Sequence, residues 1–119
     1  MTAASAIAVW DIVRIDFPFP DQAARRRWRA LAIAAPAATD AFAVLWVLMI
    51  ASAADESWPL DVPVSDLALG GLTHACVVRV GKVTTLDSRL ATRIGELSAP
   101  DRAKVAASLR ALLGAVMAN

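Results

Sequence analysis

Ile12-Val13-Arg14-Ile15-Asp16-Phe17 alternates with period two: Val13, Ile15 and Phe17 on one side, Ile12, Arg14 and Asp16 on the other. That is the pattern of a half-buried strand, and Pro18 and Pro20 end it because neither can donate to a ladder. Downstream, Asp21 to Arg29 reads as a polar, basic loop, and Ala30 to Ala34 as a short second strand closed by Pro36. Phe42 to Ile50 is apolar without alternation, so period alone does not separate a helix from a buried strand; its length and flanks favour a long central strand. Leu60 to Val64 is a short strand broken by Pro63. Ser65-Asp66 caps a helical turn through Leu69, ended by Gly70-Gly71. Ala75 to Val80 is a strand that Gly81 turns, and Thr92 to Glu96 adds another.

The last element is the best marked. Ser98 is placed as N-cap, Pro100 suits the first turn, and Asp101 lies three residues after Ser98 near the positive helix end. Val105, Leu109, Leu112, Leu113 and Val116 recur at helical spacing, which gives an amphipathic helix of about four to five turns over residues 98–116. Five or so strands and one terminal helix make a small, curled, mainly antiparallel β (α+β) domain. A single domain is expected across residues 1–119, with 1–8 a loose N-terminal leader.

Composition bounds the function. The chain has 119 residues, 58% of them hydrophobic, and a mean hydropathy of +0.55. Apolar surface in excess of what a small domain buries calls for an oligomer or an obligate complex. The N-terminus lacks the basic region of a signal peptide. The apolar run Ala41 to Ala54 is shorter than the roughly 20 residues of a spanning helix, so no membrane segment is expected. A lone Cys76 excludes an internal disulfide framework and fits a cytoplasmic location. It lies in an apolar run and reads as a buried core thiol rather than a nucleophile. His74 is the only histidine. Without a Cys/His cluster no metal site is expected, and no cofactor motif such as a glycine-rich phosphate loop is present. His74 reads as a loop residue with no catalytic role.

Net charge is only +1, yet four of the 12 basic residues are packed into Arg25-Arg26-Arg27-Trp28-Arg29. Guanidinium forks match phosphate oxygens, and an aromatic ring between them offers a stacking face for a base. A solvated basic loop with Trp28 folded onto the core explains the same letters equally well.

A longer pattern is carried by phrases in order: Asp11-Ile12-Val13, Met49-Ile50-Ala51-Ser52, Gly71-Leu72, Val77-Val78-Arg79, Thr85-Leu86-Asp87, Arg93-Ile94-Gly95-Glu96-Leu97-Ser98 and Leu112-Leu113-Gly114. The set resembles the MazF/PemK-like toxins of type II toxin–antitoxin systems, from Asp11 to Gly114. The resemblance implies a small SH3-like barrel of about five to seven strands with a C-terminal helix (CcdB/MazF-like), assembled as a homodimer. It implies metal-independent endoribonuclease activity on single-stranded RNA, in which a ribose 2′-hydroxyl attacks the adjacent phosphate. It also implies a cognate antitoxin as partner. On this resemblance Arg27 or Arg29 stabilises the transition state with Arg79 and Ser52 assisting, while Gln22, Arg25, Arg26 and Trp28 hold the RNA.

Three letters depart from the family pattern. Counted without gaps, the Arg-Pro of the family falls on Trp28-Arg29, so either Arg27 or Arg29 stands in for the motif arginine. The threonine of Ile-Thr-Ser falls on Ala51, leaving Ser52. An acid found in some members falls on Gly81. These changes leave open a second reading, a catalytically impaired homologue that binds RNA or antitoxin. A gyrase-directed toxin of similar fold ranks last, because such toxins are not marked by an arginine loop of this kind.

Overall fold

The computed structural model describes residues 7–16, 28–35 and 43–118. Six strands precede one helix: β1 Asp11–Ile15, β2 Trp28–Ala34, β3 Val44–Ser52, β4 Asp61–Pro63, β5 Cys76–Asp87 and β6 Ala91–Glu96, then α1 Ala99–Met117. A short 3-10 turn, Ser88–Leu90, joins β5 to β6. The strands form one sheet in the order β4-β5-β3-β2-β1-β6, and every pairing is antiparallel. The expected mainly antiparallel β domain with a terminal helix is therefore the architecture found. Among the described residues no ladder joins β4 to β6, so "barrel" describes the curl of the sheet and not a closed ring of hydrogen bonds.

Both faces of the sheet are buried. On one, Ile12, Leu31, Leu48, Val78 and Val80 pack with Leu97 and with Val105 of α1. On the other, Val13, Ile15, Ala30, Ala32, Leu45 and Val47 form a second cluster, against which Ile7, Trp28, Leu86 and Ala91 pack. This corrects the expectation that Ile12 faces outward with Arg14. Alternation located the strand, but a sheet covered on both sides buries alternate residues of either parity. Phe17, Phe42 and most of residues 1–8 lie outside the described residues.

The strand expected to turn at Gly81 instead runs on to Asp87. What breaks at Gly81 is the register: Ile50 pairs with Val78, but Leu48 pairs with Val83, so β5 carries three more residues than β3 across the same interval. This wide bulge, Arg79 to Lys82, bends the strand without ending it. Pro63 is tolerated because β4 is an edge strand. The turn after Asp66 forms as expected. Asp66 Oδ1 accepts from the Leu69 amide at 3.0 Å, while Leu72 N donates to Leu67 O and Gly71 N to Ala68 O. That is a Schellman closure with Gly71 at φ +70°.

This turn lies flush on β6. A Cβ at Gly95 would overlap the backbone of Gly70 and Leu69, and one at Gly71 would overlap the carbonyl of Ile94. Polar bonds then tie β1, β6 and α1 together. Arg93 Nε donates to Asp11 Oδ1 at 3.0 Å, and Arg102 reaches both Glu96 Oε2 at 2.9 Å and the Leu97 carbonyl at 2.7 Å.

The helix forms where expected, with Ser98 at the N-cap position and Pro100 and Asp101 in its first turn, and two details differ. Ser98 has N-cap backbone angles but makes no side-chain cap bond. Asp101, fully buried, accepts from the Ser65 amide at 2.8 Å and its hydroxyl at 3.0 Å, tying α1 to the loop after β4. The positive end of the helix favours that carboxylate. Only the first turns pack inward: Val105 is buried and Leu109 half-buried, while Leu112, Leu113 and Val116 are 47, 48 and 74% exposed. No helix among the described residues is long and apolar enough to cross a membrane.

Candidate functional site

A cavity of about 360 Å³ opens where β2 begins, β3 ends and β5 bulges; it is lined by Trp28, Arg29, Met49, Ile50, Ala51, Ser52, Asp55, His74, Arg79 and Lys82. Four expected site residues meet here: Trp28, Arg29, Ser52 and Arg79. Gln22, Arg25, Arg26 and Arg27 lie outside the described residues.

Strand register sets which of them share a face. Arg29 pairs with Ile50, and Ser52 pairs with Cys76. Since side chains alternate, Arg29, Ile50 and Ser52 fall on one face, that of Leu31 and Leu48. Trp28 and Ala51 fall on the other, and Trp28 packs on the Ala30 and Met49 cluster. The one-residue displacement at the arginine and the one-residue displacement from Ala51 to Ser52 thus match each other. The buried Cys76 thiol has its pKa pushed up by burial, with the charge of Arg29 pulling the other way, so Arg29 acts on the face that carries Cys76. Cys76 is 4% exposed, as expected of a core thiol, and its Sγ donates to the His74 carbonyl at 3.2 Å.

The two arginines differ in what they do. Arg79 is buried and paired: its Nη2 donates to the Glu56 carbonyl at 2.7 Å and to Asp61 Oδ2 at 3.1 Å, and its Nε to Asp61 Oδ1 at 3.3 Å. Its guanidinium also lies 4.7 Å from the centre of the Trp58 ring. Arg29 makes no ion pair among the described residues. Ser52 Oγ accepts from the Ala54 amide at 3.2 Å, which leaves its own proton available. Lys82 Nζ stands 5.8 Å from the centre of the Trp28 ring.

Sequence reasoning missed Lys82 and Asp55, and it set aside His74, which lines the same cavity. Lys82 follows a glycine read as the end of a strand, and only the bulge returns it to the site. Asp55 follows the expected central strand, and nothing in its neighbours distinguishes it from a solvated loop acid.

A phosphate-sized anion beside Arg29, Lys82 and a serine hydroxyl is the arrangement this cavity suits. The family model described as the PemK-like, MazF-like toxin of type II toxin–antitoxin systems matches residues 8–113. The chain belongs to this family. Solved structures agree on the fold. The MazE–MazF complex (Form II) of Deinococcus radiodurans superposes with a TM-score of 0.68 at 21% identity, covering 92% of this chain and 97% of that one. MazF (Form I) of the same organism gives 0.64 at 20% identity, with 92 and 98% covered. The Mycobacterium tuberculosis toxin MazF-mt6 gives 0.63 at 16% identity, with 87 and 96% covered. No curated protein matches the chain significantly.

In this PemK/MazF-like chain several of the ordered phrases hold the scaffold. Asp11, Arg93 and Glu96 form the lock on α1, Gly71 and Gly95 allow turn and strand to touch, and Asp87 caps the 3-10 turn by accepting from the Arg89 amide. The cavity draws on Val77-Val78-Arg79 and Met49-Ile50-Ala51-Ser52, and on the end of the arginine-rich stretch.

Proposed function

We propose that this chain is the toxin of a toxin–antitoxin pair and a metal-independent endoribonuclease acting on single-stranded RNA. The observation that carries the reading is Arg29, an arginine without an ion pair among the described residues, lining the same cavity as Ser52, Lys82 and Trp28. In the reaction a ribose 2′-hydroxyl loses its proton and its oxygen bonds to the adjacent phosphorus. The bond from phosphorus to the 5′-oxygen breaks, and that oxygen takes up a proton. The products are a 2′,3′-cyclic phosphate and a 5′-hydroxyl. Negative charge grows on the phosphoryl oxygens, and a fixed guanidinium stabilises it at any physiological pH. Arg29 takes that role, the part for which the sequence offered Arg27 as the alternative. Ser52 donates a hydrogen bond to the same phosphate. Arg79 acts from beneath, holding the β3–β4 loop in place through Asp61 and Glu56. Asp55 and His74 line the cavity within the set from which proton transfer is drawn.

The partners follow from the same reading: a second copy of the chain, and an antitoxin whose tail covers the RNA groove, in the cytoplasm. Exposed Leu112, Leu113, Val116 and Met117 at the end of α1 support burial against another chain.

The test uses purified protein freed of antitoxin and offered single-stranded RNA without added metal. Cyclic-phosphate products are expected, and R29A is expected to lower the rate by about 10²–10³ with the fold intact. R29A cleaving as fast as the parent chain overturns the assignment. One observation favours the second reading, an impaired binding module: Arg79 is consumed by Asp61, and Ala51 offers no hydroxyl. That reading expects well-folded protein that binds RNA or antitoxin, cuts no RNA and does not arrest growth.

A further inference from the structure

We propose that Trp58 is a nucleobase platform, stacking one base of the bound strand beside the β5 bulge. The inference rests on the RNA-binding reading above. Trp58 sits in the β3–β4 loop and is 41% exposed, an unusual place for so large an apolar ring. It is nevertheless held firmly. Its amide donates to Asp61 Oδ2 at 2.9 Å, and the Arg79 guanidinium lies 4.7 Å from its ring centre. Its Cε3 is 3.8 Å from where a Cβ on Gly81 would stand. One face of the ring is therefore backed by a cation that is itself clamped by a carboxylate.

Such a ring is preorganised. It gives up little freedom when a planar group settles on its outer face, and stacking on an aromatic side chain is tolerant of base identity. Glycine at position 81 keeps the bulge low beside the ring. The bulge also places the next residue, Lys82, in the cavity with Arg29. Asp61 neutralises Arg79, whereas Lys82 has no ion pair among the described residues. A nucleotide with its base on Trp58 thus has a cation in the adjoining cavity for its phosphate. The charge around the ring argues against an acidic peptide as occupant. Asp55 and Glu56 are exposed in the same loop and repel any anion set against the ring, phosphate or carboxylate, so the group that fits on the ring itself is an uncharged base, with its phosphate left to the cations of the cavity.

The experiment measures binding of a 2′-O-methylated single-stranded RNA, which has no hydroxyl with which to react, to the parent protein, W58A and W58F. W58A is expected to weaken binding by about 5- to 100-fold, and W58F, which keeps a ring, to retain most of the affinity. An abasic residue scanned along the oligonucleotide is expected to reproduce the loss at one position, where W58A then adds nothing. This second arm reads the base and the ring together, so a general loosening of the loop does not imitate it. Equal binding by parent and W58A overturns the platform and leaves the RNA reading intact. No binding by the parent overturns both. Unchanged RNA binding with lost binding of an acidic antitoxin-like peptide assigns Trp58 to a protein partner and overturns the proposal.

Discussion

Asp61→Ala tests the wiring beneath the site. The Arg79 and Asp61 side chains are each only 9% exposed. Removing the carboxylate takes two hydrogen bonds from a buried guanidinium and one from the Trp58 amide. Breaking a buried pair from one side typically costs about 3–5 kcal/mol, because the remaining charge is left uncompensated. Arg79 keeps the Glu56 carbonyl and the Trp58 ring, which puts the expectation near the lower end, about 3 kcal/mol. For a chain of this size that corresponds to a fall of about 10–15 °C in Tm. Replacing both partners, as D61L/R79M, removes the charge together with its counter-charge and is expected to recover most of the loss. Urea and thermal unfolding of the parent chain, both single variants and the double variant give the coupling directly. A D61A loss below about 1 kcal/mol would refute the reasoning, since it would mean that water already screens the pair as it does on a surface.

Three further outcomes are expected. Gly95→Ala forces a methyl into the backbone of Gly70 and Leu69, so the 66–72 turn must lift and stability falls by at least about 2 kcal/mol; a urea midpoint unchanged from the parent chain would contradict the close approach. The Asp87 carboxyl is held at about 2 by its hydrogen bonds to the Arg89 side chain and backbone. This depressed value favours the folded chain above the ordinary carboxylate range, and the advantage is lost as pH falls from about 4 towards 2. Carboxyl NMR titration of the parent and R89A checks it, with the R89A value moving up. Cys76, buried and with its thiol pKa raised, is expected to react slowly with iodoacetamide at pH 8 and more slowly still in R29A, which removes the one charge favouring the thiolate; faster alkylation in R29A would show that Arg29 does not act on that face.

Short-range chemistry was legible from the letters. Alternation marked β1, the Asp66 to Gly71 turn could be read from its cap and its glycines, and the ordered phrases carried the family. The register was not. Gly81 reads as a stop in any local window, and only the partner strand β3, three residues short of β5 across the bulge, shows that the chain continues and brings Lys82 back to the cavity. The helix shows the same limit: Leu112, Leu113 and Val116 repeat with the right period but are exposed, so periodicity marks a face without saying what covers it. Asp101 reads as a first-turn acid three residues after Ser98, and it is bonded to Ser65, 36 positions away, a long-range partner that only packing supplies.

What the sequence determined by itself is the set of elements, the family and the residue types available for charge, because these depend on neighbours a few positions apart. What the tertiary structure decided is which of those residues share a face and which charges are already spent. Arg29 joins Ser52 because β2 and β3 align Arg29 with Ile50, and Arg79 is bound by an aspartate 18 positions away. Such pairings are fixed by long-range register and burial, which a linear string does not encode locally.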